Sequence, residues 1–220
     1  MIKINNLGTE NSLFNQFISE IRNIDIQNDA MRFRRNMERI GEIMAYEISK
    51  TLPYEKQAIT TPLGEISINI LKQQPVLATI LRAGLPLHQG MLNYFDRAEN
   101  AFISAYRKHD MEGNFEIQID YMSSPMLKNR TLIILDPMLA TGKSMVLAYK
   151  ELLAMGAPKQ IHVASVIASV DGIEHIQKHF PASKTTIWLG AIDQELTAQS
   201  FIVPGLGDAG DLAFGAKLQD

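Results

Sequence analysis

Five short apolar runs recur along the chain: VLATIL at 76–81, AFISAY at 101–106, TLIIL at 131–135, IHVASVIA at 161–168 and TTIWLGAI at 185–192. They are rich in Val, Ile and Thr and too continuous to leave one face in water. They predict strands buried on both faces, as in a parallel sheet. Helical spacing fills the gaps. Beyond Gly142, Met145, Tyr149, Leu152 and Leu153 recur at i, i+4, i+7 and i+8, and Gly156 with Pro158 ends the pattern. In DGIEHIQKHF, Asp171 is placed to cap a helix with Glu174 three residues on, while Ile173, Ile176 and Phe180 share a face. Phe33, Met37, Ile40, Met44 and Ile48 form one stripe that predicts an N-terminal helix across 30–50. This alternation predicts a doubly wound α/β domain, a central and mostly parallel sheet flanked by helices.

Three segments break the alternation. ITTPLGEISINI alternates Ile66, Ile68 and Ile70 after a Pro/Gly turn, which predicts a β-ribbon arm. MEGNFEIQIDY sets Phe115, Ile117, Ile119 and Tyr121 on one face, a second ribbon of the kind that covers a site or meets another subunit. The tail from 199 to 220 is rich in Gly, Ala and Asp and reads as an ordered loop. The expected organisation is one domain over 1–220: helix and arm at about 25–72, core at about 73–198, and a C-terminal hood at about 199–220.

Composition narrows the chemistry. At 220 residues, 46% hydrophobic and 20% charged, the chain suits a single domain with a sizeable core. A net charge of −3 gives no broad basic field, so no nucleic-acid partner is expected. The absence of cysteine excludes disulfides, thiol catalysis and cysteine-ligated metal. MIKINNLGTENS lacks a signal pattern, and no apolar run approaches the ~20 residues that span a bilayer, so a cytoplasmic protein without a membrane partner is expected. His175 and His179 stand four apart as metal ligands often do, but no third ligand accompanies them. No protein-held metal is expected.

The stretch LIILDPMLATGKSM, 132–145, carries the clearest chemistry. It runs from a buried strand, through Asp136 at the strand tip, to a helix starting near Thr141–Lys143. Ligands of open α/β sheets sit at such strand ends. A helix start offers unpaired N–H groups and about half a positive charge, which favours phosphate. Gly142 permits close approach, while Thr141 and Ser144 add hydroxyls. An ATP-binding P-loop also ends in GKS, but it needs glycine where this chain has Pro137, so Lys143 is not a Walker lysine.

LDPMLATGKS resembles the phosphoribosyl-pyrophosphate loop of type I phosphoribosyltransferases, in the version carried by uracil phosphoribosyltransferases. Many relatives have two acidic residues at the strand end; the uracil enzymes have Asp-Pro, as at Asp136-Pro137. Lys143 stands where the uracil enzymes usually have glycine and purine-type relatives carry lysine. ILRAG, with Arg82, is similar to the family's pyrophosphate loop, and Arg107 in AYRKHD matches its second pyrophosphate-contacting arginine. FIVPGLGDAGDLAFG, 201–215, closely resembles the family's hood, and AIDQEL, 191–196, follows it apart from Glu195, where glycine is common. The likeness runs from about residue 30 to the end.

The resemblance implies a type I phosphoribosyltransferase-like fold with a β-ribbon arm and a hood. It implies transfer of a phosphoribosyl group from 5-phospho-α-D-ribose 1-diphosphate (PRPP) to uracil, giving UMP and diphosphate in pyrimidine salvage. By the same match, PRPP would be held by Arg82, Arg107, Asp136, Pro137, Met138, Leu139, Ala140, Thr141, Gly142, Lys143, Ser144 and Asp208. Uracil would be held by Ile202, Gly207, Asp208 and Ala209, with Asp208 and Arg107 as the catalytic candidates. Mg²⁺ would arrive on the PRPP diphosphate, and a homodimer or higher homo-oligomer is implied. A phosphoribosyltransferase for another base, or a regulator that binds UMP or PRPP without turnover, remain the alternatives at this stage.

Overall fold

The computed structural model describes residues 1–109 and 115–216, with 106–109 and 115–117 described by backbone alone. Strand β1 (Lys3–Asn6) leads to helices α1 (Leu13–Arg22) and α2 (Ala30–Ser49). A hairpin of β2 (Tyr54–Thr61) and β3 (Gly64–Leu71) follows, then β4 (Val76–Leu81), α3 (Leu85–Tyr94), β5 (Glu99–His109), β6 (Phe115–Ser123) and β7 (Thr131–Leu135). After β8 (Met138–Leu139) come α4 (Lys143–Leu152), β9 (Gln160–Ser169), α5 (Val170–His179) and β10 (Thr185–Asp193). The tail holds β11 (Glu195–Leu196), β12 (Ile202–Val203) and α6 (Ala209–Phe214).

The main sheet runs β1-β10-β9-β7-β4-β5-β6, with β8 beside β9. Its pairs are parallel except the edge pair β5–β6. The five expected strands are all present. On β5 the buried residues, Ala101 and Ile103, share one face. The other four have residues buried on both faces, as where Ile133, Leu135 and Ala164 meet α1–α3 while Ile134, Val163 and Leu189 meet α4 and α5. Hence no polar alternation shows in their sequences. The stripe on α2 is buried throughout, with Phe33 at 2% exposure and Met37, Ile40, Met44 and Ile48 at 0%. At roughly 1.5–3 kcal/mol for each such side chain, packing rather than propensity holds this helix. One polar pair interrupts the layer: Trp188 Nε1 donates to His162 Nδ1 at 3.0 Å. Burial pushes that imidazole down to about 4, so it is neutral.

Four local expectations are corrected. Helix α5 is capped by Ser169, whose Oγ accepts from Gly172 N at 2.9 Å; Asp171 lies in its first turn. The tail is not only loop, since β12 pairs with β11 and α6 closes it. The 115–123 segment is a two-stranded ribbon only in part: 115–119 pair with 105–109 past the last β4 partner, Ser104, whereas 121–123 form the antiparallel edge of the main sheet. There Ser104 pairs with Tyr121 and Ala105 with Ile119, so Asp120 bulges out. The bulge breaks the expected face: Ile119 and Met122 pack on the core, whereas Tyr121 is 58% exposed. The tip of this segment, 110–114, lies outside the described residues. The arm is a hairpin as expected, though its first strand, YEKQAITT, already starts at Tyr54.

Candidate active site

A cleft of about 670 Å³ opens where the carboxyl ends of β4, β5 and β7 face the tail. Arg82, Asp136 and Ser144 line one side, and Ile202, Gly207 and Asp208 the other. Met138, Ala140 and Ala209 also line it. The structure thus gathers residues from three separate sequence strings.

The loop after β7 is fixed by its backbone. Pro137 O accepts from the N–H groups of Val166 and Ile167, each at 3.0 Å, and Leu139 pairs with Ala168. Pro137 and Leu139 are buried and serve as the loop's footing. The Ser169 hydroxyl donates to Ala140 O while it caps α5, so one side chain joins loop and helix. Gly142 is left-handed, with φ 73°, and precedes α4 with no side-chain cap. The positive end of that helix is therefore offered at the cleft edge beside Ser144. Lys143 is exposed, and its N–H donates to Thr141 Oγ1 at 3.4 Å.

A Cβ at position 142 would stand 2.9 Å from Gly172 O and 3.2 Å from His175 Cβ. Left-handed backbone adds roughly 1–2 kcal/mol for any other residue. Gly142→Ala is expected to raise the KM for a phosphorylated ligand about tenfold, because the helix start must shift to relieve the overlap. Steady-state kinetics with the ligand varied, beside a melting curve, would check this; an unchanged KM would remove the loop from phosphate binding.

Asp136 sits at the tip of β7, its carboxyl turned into the cleft floor. Burial pushes that carboxyl up to about 7, opposed by the Met138 N–H, which donates to it at 3.3 Å. A carboxylate held with so few donors gains from any ligand that brings hydroxyls or a cation.

Across the cleft, Asp208 caps α6: its Oδ1 accepts from Gly210 N at 2.8 Å and Asp211 N at 3.0 Å. Ile202 and Ala209 are 4% and 3% exposed, so their side chains anchor the segment while its main chain borders the cleft. Arg82 reaches over, and its Nη2 donates to Asp211 Oδ1 at 3.0 Å and Gly215 O at 3.3 Å. Asp211 was missed by sequence reasoning, as were Ser200 and Phe201, which also line the cleft. For Phe201 and Asp211 the signal was their place inside the hood string, and Ser200 directly precedes it. Arg107 lies on β5 opposite Ile117, two residues past the cleft-lining Ala105. Its side chain lies outside the described residues.

A sequence profile of uracil phosphoribosyltransferases matches residues 8–216. The chain is 56% identical over 217 residues to a uracil phosphoribosyltransferase of Porphyromonas gingivalis, covering 99% of this chain and 100% of that one. It is 37% identical over 207 residues to one from Thermococcus sibiricus, covering 93% and 87% respectively. Among solved structures, the AQ2163 protein of Aquifex aeolicus superposes with a TM-score of 0.85 at 29% identity, covering 98% of this chain and 100% of that one.

Proposed function

The chain belongs to the uracil phosphoribosyltransferase family, and from that premise we propose how its own residues divide the work of converting uracil and PRPP to UMP and diphosphate. The observation that carries the reading is that Arg82, Asp136 with Ser144, and Asp208 border one cleft although they come from three distant stretches of the chain. The donor's 5-phosphate lies at the start of α4, taking N–H groups of 139–144 and the Thr141 and Ser144 hydroxyls. Asp136 accepts from ribose hydroxyls. Arg82 exchanges Asp211 and the Gly215 carbonyl for the more highly charged diphosphate, with Arg107 as the second guanidinium.

Uracil lies against the main chain of 202–209. In the reaction the N1–C1 bond forms as the C1–diphosphate bond breaks, and the N1 proton leaves toward Asp208. Charge on the departing diphosphate is met by the arginines, and alignment of N1 with C1 supplies much of the acceleration. Among the described residues no cluster of three acidic or histidine side chains could hold a metal by itself. The Asp136 carboxylate, ribose hydroxyls and diphosphate oxygens are nonetheless the hard oxygen set that suits Mg²⁺. Bound on the donor, Mg²⁺ would neutralise diphosphate charge. The exposed apolar residues of the β2–β3 hairpin, Tyr54, Leu63, Ile66 and Ile68, are assigned to contact with a second copy of the chain.

Uracil is chosen over cytosine because main-chain groups that pair with O4 and N3–H are mismatched by an exocyclic amine. Incubation with uracil, PRPP and Mg²⁺ should yield UMP, with kcat/KM for cytosine lower by at least about 10²-fold. Equal use of cytosine or of a purine would overturn the reading, as would tight UMP binding without turnover.

A further inference from the structure

The N-terminal segment, for which the sequence offered no role, reaches the back of the hood. Arg22 ends α1 and Asp193 ends β10, 171 residues apart in sequence. The guanidinium grips the carboxylate with both arms: Nη1 donates to Oδ2 at 2.8 Å and Nη2 to Oδ1 at 2.9 Å. Nη1 also donates to Gly205 O at 3.1 Å, and Gly205 N donates to Asp193 Oδ2 at 2.9 Å. Both main-chain groups of one hood residue are therefore held by one ion pair. Five residues on, the side-chain amide of Gln27, with its nitrogen toward the hood, donates to Ile21 O at 3.0 Å and to Leu206 O at 2.8 Å.

Gly205 is the hinge of the loop that reads the base. It lies three residues after Ile202 and two before Gly207, both of which line the cleft. Its φ is +57°, and a Cβ there would overlap Ile202 O. The turn is thus tight enough that fixing its N–H and C=O fixes the main chain on either side. Neither Arg22 nor Asp193 lines the cleft, and Asp193 has a side-chain exposure of only 8%. Bidentate, charge-assisted pairs of this kind add geometric definition as well as energy.

We infer that Arg22 and Asp193, with Gln27, are positioning residues for the pyrimidine: they clamp the 202–207 turn from behind and set the main-chain groups that read uracil. The inference rests on the assignment of this cleft wall to uracil. It separates the substrates, because the clamp touches the hood and not the 136–144 loop.

The test is steady-state kinetics with uracil and PRPP varied independently on Arg22→Gln, Arg22→Lys and Gln27→Ala, alongside melting curves. Arg22→Gln is expected to raise the uracil KM by about tenfold or more, with the PRPP KM within about twofold of wild type. Arg22→Lys keeps a charge but not the fork, and should recover part of that loss. Gln27→Ala leaves no buried charge behind and so folds even if the arginine variants do not; of the two hydrogen bonds it removes, the one to Leu206 O is expected to raise the uracil KM about threefold. A rise in PRPP KM equal to that for uracil, or a lowered melting temperature with both KM values unchanged, would overturn the inference. Failure of the wild-type enzyme to use uracil would instead overturn the function on which it rests.

Discussion

Asp208→Asn is expected to lower the turnover number by about 10²–10⁴-fold, the range lost when a general base is removed. The substitution is informative because of what it preserves. Asp208 Oδ1 accepts from Gly210 N and Asp211 N at the start of α6. An asparagine oxygen accepts the same two bonds, and asparagine is as good an N-cap as aspartate. The hood therefore keeps its shape while the charge is lost. Asp208→Ala removes the cap as well, destabilising the helix start by about 1 kcal/mol. Turnover at saturating uracil and PRPP, measured for both variants beside their melting curves, separates charge from cap. If Asp208→Asn loses only PRPP affinity and keeps its turnover number, Asp208 contacts the donor and is not the base.

Asp136→Asn is expected to make the free protein more stable and the enzyme worse. The Asp136 carboxyl titrates near 7 in the folded protein against an ordinary 3.8. Between these values the folded state holds a proton that the unfolded chain has released. The stability due to the protonated form is thus complete below about pH 4 and is lost as pH rises through 7. Above pH 7 the strand tip carries a desolvated carboxylate. Full desolvation over that interval would correspond to about 4 kcal/mol. The residue keeps a solvent-facing edge through the cleft, so a gain of about 1–2 kcal/mol is expected for asparagine, or roughly 3–8 °C in Tm at pH 8. Wild type and variant should converge near pH 4. Donor affinity should fall by about 10²-fold, because ribose hydroxyls lose a charged acceptor. Melting curves from pH 4 to 8 and a PRPP titration check both halves. Unchanged donor affinity would remove Asp136 from sugar recognition.

What could be read from the sequence follows from where each contact lies along it. The strands at 131–135 and 161–168 were legible because burial on both faces leaves an unbroken apolar run. The α2 stripe was legible because one face meets the core. Asp120 was not, since a bulge depends on how β5 and β6 pair and leaves no local mark. Ser169 was overlooked as a cap because Asp171 offered an equally good local pattern, and only the three-dimensional link to Ala140 O decides between them. The cleft-lining residues at 136–144 and 202–209 could be picked out because each group lies in a contiguous string. Arg22 and Asp193 were not: nothing near either residue reports a partner 171 positions away.

Both walls of the cleft lean on one face of the sheet. Ile202, Leu206 and Ala209 belong to the apolar layer shared with α1–α3, and Met138 and Ala140 of the loop after β7 pack against that same layer. The width of the cleft is therefore set by how this shared layer is filled. A misplacement of 1 Å between reacting atoms can cost about 10²-fold in rate. Repacking that layer with a bulkier aliphatic residue should consequently blunt the enzyme well before it unfolds it, even at positions remote from the cleft.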